Sequence, residues 1–124
     1  CRNMLSGSDF GIELYEAQIP IHGELRGLAN DLSLTPLQLS MAGGDWRFLY
    51  SIPKNRLKVL DTLSKNSGAK ISVIGEVIDA NGIWARTLSG DRRKLRQIEH
   101  DSFVDRIDGK SYFNYLSDPL NLFE

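Results

Sequence analysis

The chain is poor in the residues that build covalent or metal scaffolds: it has one cysteine, Cys1, and two histidines, His22 and His100. A lone thiol excludes an intrachain disulfide framework and a cysteine-rich zinc site. Around neither histidine do Cys, Asp or Glu recur at the spacing of a dedicated metal centre. Excess charge of one sign is also lacking. Fifteen basic residues face 16 acidic ones for a net charge of −1, so no overall field draws the chain onto nucleic acid or an anionic membrane. No apolar run approaches the roughly 20 residues that span a bilayer. The N-terminus has no basic-then-apolar layout of a signal peptide, and the expected compartment is the cytoplasm.

What is present is ordinary globular material. Hydrophobic residues make up 41% and charged residues 25%, which argues against disorder, collagen-like repeats and coiled coils. A length of 124 residues suits one domain around one core. The chain opens on Cys1 rather than methionine, and Cys1-Arg2-Asn3-Met4-Leu5 reads as the end of a helix begun upstream. The expectation is that residues 1–124 are a single domain cut from a longer protein.

Phe10, Ile12 and Leu14 alternate with Gly11, Glu13 and Tyr15, the period of a strand over 10–15. Ile19-Pro20-Ile21 is extended, and Leu25, Leu28 and Leu32 follow at helical spacing, with Gly27 a weakness in that helix. Thr35 before Pro36 is an N-cap followed by a residue that suits the first helical turn. That helix is expected to stop at Gly43. Trp46, Phe48, Tyr50 and Ile52 share one face of an extended segment closed by Pro53, and predict a second, central strand.

Leu57, Val59, Leu60 and Leu63 predict a helix over 54–67, with Gly68 at the C′ position. Residues 70–79 predict a strand covered on both faces, and Asn81-Gly82 a two-residue hairpin turn returning through Ile83, Trp84 and Ala85. Ser89-Gly90-Asp91 predicts a further turn. Arg92, Arg93, Lys94 and Arg96 form a short basic run with acidic neighbours, which reads better as a solvated strand edge guarded by charge than as a phosphate grip. The segment 104–124 ends in Tyr112, Phe113, Tyr115, Leu116, Leu120, Leu122 and Phe123, too apolar to float free, so it is expected to pack on the domain or on a neighbour. Strands separated by amphipathic helices predict an α+β layered domain.

Gly43-Gly44-Asp45-Trp46 is the foremost site candidate, since glycines allow positive φ and expose backbone N–H groups ahead of a fixed segment. The same residues also fit a simple helix stop and turn. His100 and Asp101 form an acid/base pair only if the fold turns both toward a substrate. Ser8, Ser40 and Ser51 have no nucleophile-elbow context, so no catalytic residue and no metal ligand is assigned.

Several of these segments, in order, resemble a known family. Phe10-Gly11-Ile12-Glu13-Leu14 resembles its "GxGxxID" strand, and Ile19-Pro20-Ile21 with Leu25-Arg26 resembles "LPLSPALR". Leu37-Gln38-Leu39 followed by Gly43-Gly44-Asp45-Trp46-Arg47-Phe48-Leu49-Tyr50-Ser51-Ile52-Pro53 is similar to "GEDYELLFTVP". Val73-Ile74-Gly75-Glu76-Val77 resembles "VIGEV". Over about residues 7–103 the chain thus looks like the C-terminal domain of thiamine-monophosphate kinase, within the superfamily of aminoimidazole-ribonucleotide synthetase-related enzymes. Gly44 and Arg47 stand where that family has glutamates. Glu99-His100-Asp101-Ser102-Phe103 follows its "GYDHF" only in part.

The resemblance implies a mixed, mainly antiparallel sheet flanked by helices. It implies an intact enzyme that moves the γ-phosphoryl group of ATP, with Mg²⁺, onto the phosphate of thiamine monophosphate, a reaction carried mostly by electrostatic positioning. The family's metal-binding carboxylates lie in an N-terminal domain and a "DxSDG" motif outside this chain, so residues 1–124 are expected to be inactive alone and to hold neither Mg²⁺ nor ATP. By the same resemblance, Gly43 and Gly44 let a loop approach substrate and Asp45 holds a metal, a water or the cationic substrate. Trp46 packs beneath that loop or stacks on a ring, and His100 and Asp101 stand near the same cleft. A homodimer formed through the N-terminal domain is implied for the intact enzyme. Two alternatives stay open: a related ATP-dependent enzyme acting on a different phosphorylated metabolite, and a non-catalytic module docking through its apolar tail.

Overall fold

A computed structural model describes residues 1–41, 48–96 and 118–124. Its centre is β1 (Gly11–Tyr15), a strand within the expected 10–15, although burial does not alternate along it: Gly11, Ile12 and Glu13 are all buried. β2 (Gly75–Ile78) pairs with β1 antiparallel, and β3 (Gly82–Arg86) pairs with its other side in parallel. β4 (Arg92–Lys94) pairs antiparallel with β3, giving a four-stranded mixed sheet in the order β2-β1-β3-β4. With its helices this makes an α+β fold.

The α-helices among the described residues are α1 (Arg2–Leu5), α2 (Gly23–Asp31), α3 (Pro36–Met41) and α4 (Leu57–Ser67). α3 begins in a reciprocal cap. The Gln38 N–H donates to Thr35 Oγ1 at 3.2 Å, and the Thr35 N–H donates to Gln38 Oε1 at 2.8 Å, which satisfies two helix-end donors. α4 ends where Gly68 turns left-handed at φ 68°, the conformation that relieves the last carbonyls at least cost when no Cβ is present.

Residues directly opposite one another in a sheet share a face, so the register divides the side chains. Leu14, Ile83 and Ala85 turn to one side and pack with Ile19, Ile21, Leu37 and Leu95. Leu122 and Phe123 complete this core. Phe123 forms a β-bridge with Leu95, the Arg96 N–H donates to the Leu122 carbonyl at 2.9 Å, and Arg93 lies over the Phe123 ring. The other side of the sheet carries Glu13, Tyr15, Glu76, Trp84, Arg86, Arg92 and Lys94.

Three expectations are corrected. Residues 48–52 of the expected central strand are not in the sheet. Phe48 and Tyr50 are 88% and 76% exposed and their rings stack on each other at 6.2 Å, because β1 and β3 occupy the central places with which this segment would have to pair. Asn81-Gly82 does not make a hairpin, since β1 lies between β2 and β3. The chain instead passes over the start of β1 at Gly11, where an added Cβ would strike the carbonyl oxygens of Ala80 and Gly82. The expected strand over 70–79 shortens to 75–78, and Ile71, Val73 and Val77 are exposed rather than covered.

Candidate functional site

Gly43, Gly44, Asp45 and Trp46, like His100 and Asp101, lie outside the described residues. What the described residues bring together is a group of charged and aromatic side chains on the polar side of the sheet, and its centre is Glu13. Alternation along β1 puts this carboxylate opposite the apolar core, yet only 4% of the residue is exposed. Burial alone costs a carboxylate its charge unless donors replace water. Here Arg86 donates from Nε and Nη2 to Oε1 at 2.9 and 2.6 Å, and Arg92 donates from Nε to Oε2 at 2.6 Å. Burial pushes the Glu13 pKa up, but the hydrogen bonds from Arg92 and Arg86 and their positive charges outweigh it and hold the carboxyl below its usual range.

Arg86 and Arg92 stand opposite each other in the β3–β4 register, which is why both reach one acid. The Arg92 guanidinium also lies 4.2 Å from the centroid of Trp84, a cation–π contact that fixes its plane. The basic run read as a solvated edge is therefore divided by the alternation of the strand: Arg92 serves the polar side and Arg93 stacks on Phe123 on the core side.

Glu16 is a second buried acid, just past the end of β1, and 4% exposed. Its Oε1 accepts from the Leu37 N–H at 3.1 Å and its Oε2 from the Leu88 N–H at 3.0 Å. One carboxylate thus fastens the first turn of α3 to the β3–β4 turn. Between these anchors a groove of about 270 Å³ is lined by Tyr15, Glu16, Gln18, Arg86, Thr87 and Gly90. It lies at the carboxyl ends of the parallel strands β1 and β3.

Chemically, this arrangement offers fixed positive charge and hydrogen-bond donors. Among the described residues no group of three or more His, Cys, Asp or Glu side chains is placed to hold a metal ion. Sequence reasoning missed this cluster because a glutamate in an alternating strand reads as solvent-facing. The signal that could have found it was the pair Arg86 and Arg92, symmetric about the Ser89-Gly90 turn and so on one face. No helix among the described residues is long and apolar enough to cross a membrane. No protein-family model, curated protein or solved structure matches the chain.

Proposed function

We propose that this chain is the substrate-side domain of an ATP-dependent thiamine-monophosphate kinase, converting thiamine monophosphate and ATP to thiamine diphosphate and ADP in its intact form. The observation that carries this reading is the order of the resembling segments along residues 7–103. The segments resembling "GxGxxID" and "VIGEV" are distant in sequence but are hydrogen-bonded neighbours, with Glu13 opposite Glu76. Asp45, between two glycines and Trp46, is the residue assigned to the substrate or its metal, while by the resemblance Mg²⁺, and through it the ATP phosphates, would be held by carboxylates of another domain of the intact enzyme.

Calorimetry of the intact protein with thiamine monophosphate, a non-hydrolysable ATP analogue and Mg²⁺ tests the reading. Saturable binding of thiamine monophosphate is expected. Nucleotide binding without thiamine monophosphate binding would replace it with a related enzyme acting on another phosphorylated metabolite, which Gly44 and Arg47 in place of glutamates would permit. Binding of neither would leave a non-catalytic interaction module.

A further inference from the structure

On the polar side of the sheet, Glu13 takes more cation than it needs. One guanidinium fork neutralises a carboxylate, whereas Glu13 receives Arg86 on one oxygen and Arg92 on the other. The trio keeps a surplus positive charge at the surface. These contacts use the inner edges of the guanidiniums. Arg86 Nη1 and both Nη groups of Arg92 have no hydrogen-bond partner among the described residues, and the two side chains are 53% and 40% exposed. Glu13 and the Trp84 ring hold both arginines in place, so a ligand meets donors already ordered and the entropy of fixing two long side chains is spent before binding.

We propose that the outer edges of Arg86 and Arg92 bind the phosphoryl group of a small phosphomonoester, whose remaining part lies in the groove beside Tyr15. A phosphoryl dianion has three oxygens and carries up to two negative charges, so it can take a donor from each of two guanidiniums and match a site with more than one positive edge to offer. The groove meets Arg86 on the side where Tyr15 offers an aromatic wall and Gln18 an exposed amide. The Glu16 carboxylate in the same groove has each oxygen engaged by a backbone N–H, and so presents less free negative charge to an incoming anion. The inference does not rest on the kinase reading: it concerns the phosphate and not the thiamine.

The test follows the Nε–Hε signals of Arg86 and Arg92 by NMR in the isotopically labelled protein. Inorganic phosphate and phenyl phosphate are titrated at constant ionic strength, with chloride as the control. Both signals should move on one saturation curve, with phenyl phosphate several-fold tighter than inorganic phosphate. Arg92→Lys keeps the charge and loses the fork, and should weaken phenyl phosphate by about tenfold or more, the worth of a charge-assisted hydrogen bond. Unmoved arginine signals, equal shifts with chloride, or unchanged affinity in Arg92→Lys would overturn the site. Equal affinity for the two phosphates would overturn the phosphomonoester and the groove. The unsubstituted protein already decides the matter if the variant fails to fold. Binding of phenyl phosphate without thiamine monophosphate would sink the kinase reading and leave this site standing.

Discussion

Tyr15 and Glu76 are joined across the β1–β2 pair by a hydrogen bond of 2.6 Å from the phenol to Oε1. The second oxygen of Glu76 lies 3.7 Å from Lys54 Nζ, just ahead of α4. One carboxylate on the edge strand therefore meets a tyrosine of the central strand and a lysine beside the helix. The hydrogen bond to Glu76 is the largest cause that pushes the Tyr15 pKa up to about 12, with burial and the charge of Glu76 adding to it.

The sign of the resulting pH dependence follows from that direction. A phenol that ionises later in the folded protein than the ordinary value of 10.0 stabilises the fold fully below that pH and loses its contribution as pH rises toward about 12. Tyr15→Phe should cost about 1 kcal/mol at pH 7, typical of a half-exposed hydrogen bond. Urea unfolding of both proteins should show the gap narrowing above about pH 10. A gap that stays constant up to pH 11 would remove the hydrogen bond as its cause.

How much could be read in advance depended on the range of the interactions. β1 was legible because alternation over 10–15 is a local property, and α4 because a leucine stripe and Gly68 are local too. The cap of α3 needed only Thr35 and Pro36 to be seen, with Gln38 completing it. The segment 48–52 misled, since an alternating aromatic pattern gives the period of a strand without supplying a partner strand. Asn81-Gly82 misled for a related reason: β1, inserted between β2 and β3, comes from residues about seventy positions earlier. The Glu13 cluster lay beyond reach because its ion pairs span 73 and 79 residues. Gly43, Gly44, Asp45, Trp46, His100 and Asp101 were singled out by motif, and motif alone still carries them.

Glu16 makes a prediction about coupling between elements. Its two oxygens satisfy the N–H groups of Leu37 and Leu88, and Leu37 is only 1% exposed. Glu16→Ala leaves both donors without their acceptor, at a cost of about 2–4 kcal/mol for two such groups. Glu16→Gln keeps one acceptor oxygen and should fall between the two. Hydrogen exchange is the measurement that separates this role from a general loss of stability. In Glu16→Gln the Leu37 and Leu88 amides should exchange faster while those of α4 keep their protection. Uniform acceleration through the chain would mean that the carboxylate does not act as a local clasp.

Gly11 tests whether the crossing of β1 by the 79–82 connection sets the topology. The space a Cβ would need at Gly11 is filled by the backbone carbonyls of Ala80 and Gly82, and backbone cannot rotate aside as a side chain does. Gly11→Ala should therefore destabilise by more than about 3 kcal/mol, the range reached when a substitution strains the main chain. Gly27→Ala is the contrasting case. Gly27 sits inside α2 with nothing within 4 Å of the added atom, so alanine there should stabilise by about 0.5–1 kcal/mol through helix propensity and a less flexible unfolded chain. Urea midpoints for the two variants should move in opposite directions. If Gly11→Ala is tolerated as well as Gly27→Ala, the connection does not cross β1 at that point, and Asn81-Gly82 returns to the reading of a hairpin turn with β2 and β3 as direct neighbours.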